Sequence, residues 1–187
     1  MKKKGLALVL ALTLLVVGVV AGTLAWLTAK SDTVVNTFTT SDIKVELEET
    51  TGTDYKMIPG YTISKDPKAT VLSGSEECYL FVKLDKSADF DTYLEYAIAD
   101  GWTKGDGTDI PTNVYYRVVA ASSSDQAFDV IKDNQVTVKD TVTKEMMNGL
   151  TANTYPKLTV TAYASQLHKN ATQTFDAATA WSNIANK

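Results

Sequence analysis

The chain is poor in the side chains on which most soluble catalysis rests: its 187 residues include one histidine, His168, and one cysteine, Cys78. A hydrolytic zinc centre needs three protein ligands and one open position, usually built on two spaced imidazoles, and that set cannot be assembled here. A nucleophilic triad lacks its G-x-S-x-G turn, and His168 sits in an apparent polar loop as an ordinary exposed side chain. Phosphate cradles of the G-x-G-x-x-G or G-x-x-x-x-G-K-[ST] type are missing as well. Asp85, Ser87, Asp89 and Asp91 alternate as in a calcium loop. However, Phe90 stands where that loop requires glycine and Tyr96 where it requires a bidentate glutamate, so the stretch reads as a solvated turn. The expectation is a non-enzyme with no catalytic residue, cofactor or metal.

With one cysteine no internal disulfide can form, so stability must come from packing. Cys78 opens an apolar run and reads as a small buried hydrophobe, with an intermolecular bridge as the alternative. An excess of basic charge is also lacking: 18 basic residues face 22 acidic ones, a formal balance of −4. That sign argues against nucleic acid and anionic lipid as partners.

The amino end carries the chain's long hydrophobic run. Lys2, Lys3 and Lys4 precede an unbroken apolar stretch from Gly5 to Gly22, followed by Thr23-Leu24-Ala25. Lysines before a greasy core hold the amino end in the cytoplasm, and small residues at Thr23 and Ala25 suit a signal peptidase. The expected cut lies between Ala25 and Trp26, giving a signal peptide of residues 1–25 and a secreted product. Losing the three lysines would take the balance from −4 to −7. A retained membrane anchor is the competing reading, since a spanning helix needs roughly 20 apolar residues. Only this uncleaved segment would hold the chain to a membrane.

Beyond the cut, residues 26–40 form an arm rich in Thr and Ser that carries Trp26, Leu27, Val34, Val35 and Phe38. It is β-prone but lacks a clean period, so its pairing partner could come from elsewhere. Residues 41–187 read as one domain. Ile43, Val45 and Leu47 alternate with charged neighbours, as in a half-buried strand. Met57-Ile58-Pro59-Gly60 is a turn, and Pro67 fits a strand start or an edge. Cys78, Leu80, Val82 and Leu84 share one strand face opposite Tyr79, Phe81 and Lys83. The segment from Phe90 to Ile98 fits helix and strand equally. Strands are expected at 113–120 and around Val136, Val138 and Leu158–Ala162, with a short helical connection over 143–150. A final helix spans 174–184, with Thr174 as cap and Ala177, Ala178, Trp181 and Ile184 as its apolar stripe. Eight or more short strands between turns indicate an all-β, antiparallel sandwich with short helical insertions and a C-terminal helix, preceded by the signal helix.

Several stretches, taken in order, resemble the TasA/camelysin family of Gram-positive bacteria, whose members leave the cell through a SipW-type signal peptidase. They are Gly22-Thr23-Leu24-Ala25-Trp26, Asn36-Thr37-Phe38-Thr39-Thr40, Met57-Ile58-Pro59-Gly60 and Ile63-Ser64-Lys65-Asp66-Pro67. Tyr79 to Leu84, Gly101-Trp102, Tyr115-Tyr116, Val160 to Ala164 and Ala180-Trp181 continue the series. The resemblance implies a jelly-roll fold and a role as a subunit of biofilm-matrix or cell-surface fibres. It implies that Trp26 through Phe38, once freed, serves as a donor strand for the next subunit. Partners would then be further copies of the chain, head to tail, other matrix proteins, and the signal peptidase during export. Some members were described as metallopeptidases, a label that one histidine without H-E-x-x-H does not support. The alternative is a monomeric cell-surface adhesion or ligand-binding domain using the aromatic stretch from Gly101 to Tyr116.

Overall fold

A computed structural model describes residues 42–52 and 55–185. The leader, with Thr23, Ala25 and Trp26, and the arm, with Leu27, Val34, Val35 and Phe38, lie outside the described residues. The twelve described strands are short and every pairing among them is antiparallel, so the domain is all-β with few helices.

The organising element is β4, Cys78–Lys86, nine residues in which β-branched, aromatic and other apolar side chains predominate. It lies between β10, Leu158–Gln166, and β7, Val114–Val119, and β7 in turn pairs with β6, Thr103–Lys104. Cys78, Leu80, Val82 and Leu84 enter one core cluster, as their alternation predicts. Ala69 and Val71 of β3, Lys68–Val71, meet them there, with Val119 and Val130. The opposite face of β4 is covered too. Phe81 is fully buried in a second cluster with Ile110, Val114, Ala180 and Trp181, and its ring centroid lies 5.4 Å from that of Trp181.

β3 is the middle strand of a second sheet, between β1, Val45–Glu48, and β8, Gln126–Asp129. Pro67 precedes it immediately, where a missing N–H does no harm, and its carbonyl accepts from the Val130 N–H at 3.0 Å. β1 is less buried than its alternation suggests, Leu47 being 37% exposed. A third sheet sets β9, Gln135–Val138, between β2, Thr62–Ser64, and β5, Leu94–Glu95. It surrounds a third cluster of Phe90, Leu94, Ile131, Val136, Val138 and Val142. The turn leading into β2 is the expected one: the Tyr61 N–H reaches the Ile58 carbonyl at 3.0 Å, and Gly60 takes φ +75°.

The segment from Phe90 to Ile98 is both things in succession. Phe90–Tyr93 is one helical turn, α1, which buries Phe90, and the chain then extends into β5 and an Ile98–Ile131 bridge. The 143–150 connection holds α2, Lys144–Asn148, whose cap Thr143 accepts from the Met146 N–H at 3.3 Å.

Two expectations are corrected. Thr174 does not cap the last helix: it pairs with His168 in a hairpin of β11, His168–Asn170, and β12, Gln173–Thr174. The final helix, α3, is Ala177–Ala185. Asp176 caps it, accepting from the Thr179 N–H at 2.7 Å, and those hydrogen bonds hold its carboxyl below the usual range. His168 accordingly lies on a strand, where its Nε2 sits 2.8 Å from the Glu77 carboxylate.

Because Phe81 joins the sheet to α3, Phe81→Ala should lower unfolding free energy by about 3–5 kcal/mol, whereas exposed Val118→Ala should stay within about 0.5 kcal/mol. Paired urea denaturation curves measure both; equal effects would contradict the two-faced burial of β4.

Candidate functional site

The residues with most capacity to act on a partner are backbone groups. In an antiparallel pair each residue directs its N–H and C=O to one side, and the side alternates along the strand. The Ser87 N–H donates to the Lys157 carbonyl at 2.9 Å, and the Leu167 N–H to the Glu77 carbonyl at 3.2 Å. These flanking bonds lie in the β4–β10 register, so the odd-numbered residues of β10 bond β4. On the other side of β4 the Leu84 N–H donates to the Asn113 carbonyl at 2.9 Å, so its even-numbered residues serve β7. β4 is thus engaged along both edges from Cys78 to Leu84.

β10 is engaged along one. It ends its sheet, and its even-numbered residues, Leu158, Val160, Ala162 and Ala164, turn their backbone groups outward, with no strand pairing to them among the described residues. The same reasoning applies to β1, where the Leu72 N–H donates to the Lys44 carbonyl at 3.0 Å. Its even-numbered residues therefore bond β3, and Val45 and Leu47 direct their backbone outward. β1 runs beside β10 without a ladder between them. Ile43, Val45, Leu158, Val160, Ala162 and Ala164 are only partly buried where they pack on the main core. The result is a seam with an apolar lining and two strand edges that have no partner strand among the described residues, the situation that folded proteins ordinarily cover or use.

A cleft of about 890 Å³ opens at the Leu158 end of β10. Met57, Ile63, Phe90, Leu94 and Val136 line its apolar part, and Lys56, Lys65 and Lys157 also face it. Beside it the strand-to-turn segment after β1 is pinned by Asp66, whose carboxylate accepts from the Thr50 and Thr51 N–H groups, both at 3.0 Å, and from both hydroxyls. These bonds hold the Asp66 carboxyl far below the ordinary carboxylate range. The Lys65 ammonium meets both Glu49 oxygens, at 2.5 and 2.6 Å.

Three of the four residues of the calcium-like stretch are engaged structurally. Asp85 pairs with Lys83 at 2.9 Å and accepts from Asn113 Nδ2, Ser87 Oγ accepts from the Lys157 N–H, and Asp91 pairs with Lys86. Among the described residues no cluster of His, Cys, Asp and Glu is arranged to hold a metal. Trp102 donates its indole N–H to the Asp129 carbonyl at 2.8 Å and packs on the main core. Arg117, the sole arginine, stacks 3.9 Å from the Phe128 ring centroid and 5.5 Å from that of Trp102. Gly101, at φ +86°, leaves that guanidinium its space, since a Cβ there would lie 3.3 Å from it. The assembly residues expected from sequence fall outside the described residues, and the seam is formed by β1 and β10. Its position at a sheet edge depends on pairings between distant segments. Only the alternation of Leu158, Val160 and Ala162 gave a local sign of it.

No protein-family model, curated protein or solved structure matches the chain.

Cys78 is fully buried, and burial, with Glu77 beside it, pushes its thiol up to about 11. Ellman's reagent at pH 8 should leave the folded protein unmodified and titrate one thiol in guanidinium. Rapid labelling of the native form would contradict this placement and reopen a disulfide-linked assembly.

Proposed function

We propose that the protein is a secreted, non-enzymatic subunit of extracellular matrix or cell-surface fibres. Subunits join head to tail when the freed arm of one copy adds as a strand to the next. The observation that carries this reading is the outer edge of β10, where four apolar residues have no strand partner among the described residues, beside the edge of β1, which likewise has none among them. An added strand gains main-chain hydrogen bonds worth about 0.5–1.5 kcal/mol net each and covers apolar surface with every second side chain. The arm, residues 26–40, has the composition for this, with Val34, Val35 and Phe38 as pocket-filling side chains. Because donor and acceptor are different surfaces of one chain, the contact is heterologous, and it propagates as a filament where its rotation does not close a ring.

In this reading the domain is a jelly-roll-like sandwich that lacks one strand, and signal peptidase acts as the switch. Cleavage between Ala25 and Trp26 would release the arm, which the apolar leader otherwise keeps at the membrane. The resemblance to the TasA/camelysin family supports the same assignment and the same location outside the cell. The adhesion-domain alternative drew on the stretch around Trp102, and the engagement of that ring with Asp129, Arg117 and the core gives it a packing role.

Proline tests the edge, because it removes one N–H and is accommodated in a strand only where that N–H faces outward. Ala162→Pro removes an outward N–H; Thr161→Pro removes one bonded to β4. Ala162→Pro should leave a folded monomer that forms no fibres by electron microscopy, as should deletion of residues 26–38, whereas Thr161→Pro should destabilise the fold itself. Normal fibres from Ala162→Pro or from the deletion would overturn the proposal.

A further inference from the structure

The cleft at the Leu158 end of β10 has a feature that strand exchange does not use. Its volume, about 890 Å³, lies in the range of about 300–1,000 Å³ typical of small-molecule sites. Among the described residues its lining includes three lysines and no carboxylate, in a chain whose acidic residues outnumber its basic ones by 22 to 18. Lys65 is neutralised by Glu49. Lys56 and Lys157 form no ion pair among the described residues. They come from different segments, one before the Met57–Gly60 turn and one just ahead of β10, and both border an interior of Met57, Ile63, Phe90, Leu94 and Val136.

An apolar interior bordered by two lysines without an ion pair among the described residues is complementary to an amphiphile with one anionic head and an aliphatic tail. The tail removes apolar surface from water at roughly 25 cal/mol per Å², and the lysines set the preferred sign of the head. A neutral or cationic head gains nothing from Lys56 or Lys157. We infer that this cleft binds a single-chain anionic amphiphile, of the fatty-acid type, with its tail along the partly buried Met57, Ile63 and Met147 and its head between Lys56 and Lys157. This inference does not rest on the assembly reading, since a monomer carries the complete site.

The test is calorimetric titration of sodium dodecanoate, below its micellar concentration, into the purified product of the full-length chain. The expected result is one saturable site per chain and no matching site for dodecyltrimethylammonium. The double variant Lys56→Glu/Lys157→Glu should weaken binding at least tenfold. Met147→Trp, which places bulk in the cleft, should abolish binding, with unchanged circular dichroism in both variants. Flotation with phosphatidylglycerol vesicles separates the two sources of the ligand. Dodecanoate binding without flotation assigns a free amphiphile, and flotation lost in the same variants assigns a bilayer lipid. Absence of saturable binding, equal affinity for both head charges, or affinity untouched by either variant would overturn the inference.

Discussion

The central constraint is the alternation of hydrogen-bond direction along an antiparallel strand. β4 has a neighbour on each side, so its backbone is engaged in both directions from Cys78 to Leu84, and both its faces are buried, one against β3 and the other against α3. β10 inherits only half of this arrangement. Its odd-numbered residues complete β4, while its even-numbered residues offer the same groups to whatever lies outside. The apolar side chains of this edge lean on the core, and it runs beside the edge of β1, which also has no partner strand among the described residues. An edge of this kind is a hazard unless covered, and a copy of the same chain is one means of covering it.

Much of the fold is legible in the sequence where the signal is local. The alternation of Cys78, Leu80, Val82 and Leu84 identifies a strand face, and Pro59-Gly60 and Pro67 mark a turn and a strand start through their dihedral preferences. The segment from Phe90 to Ile98 scored equally for helix and strand because it is one turn of the first followed by the second. What decides the matter is burial of Phe90 and Leu94 with Val136 and Val138, which are distant in sequence. Thr174 is an equally good cap by composition. Asp176 holds that role because the β11–β12 hairpin already engages Thr174.

The candidate sites were less legible for the same reason. Nothing near Val160 or Ala162 says that β10 ends its sheet, since that depends on where β4, β7 and β6 lie. The cleft gathers residues from segments as far apart as Lys56 and Lys157, and no motif announces it. Composition leaves no pair of imidazoles, and the geometry engages Asp85 and Asp91 with lysines and Trp102 with Asp129.

Residue-resolved amide exchange along β10, before and after assembly, tests the central claim most directly. In the monomer the N–H groups of Thr161 and Tyr163, bonded to β4, should exchange slowly, and those of Val160, Ala162 and Ala164 quickly. On assembly the second set should become protected while the first is unchanged. Protection of Val160, Ala162 and Ala164 already in the dilute monomer, or their continued rapid exchange within fibres, would contradict the account.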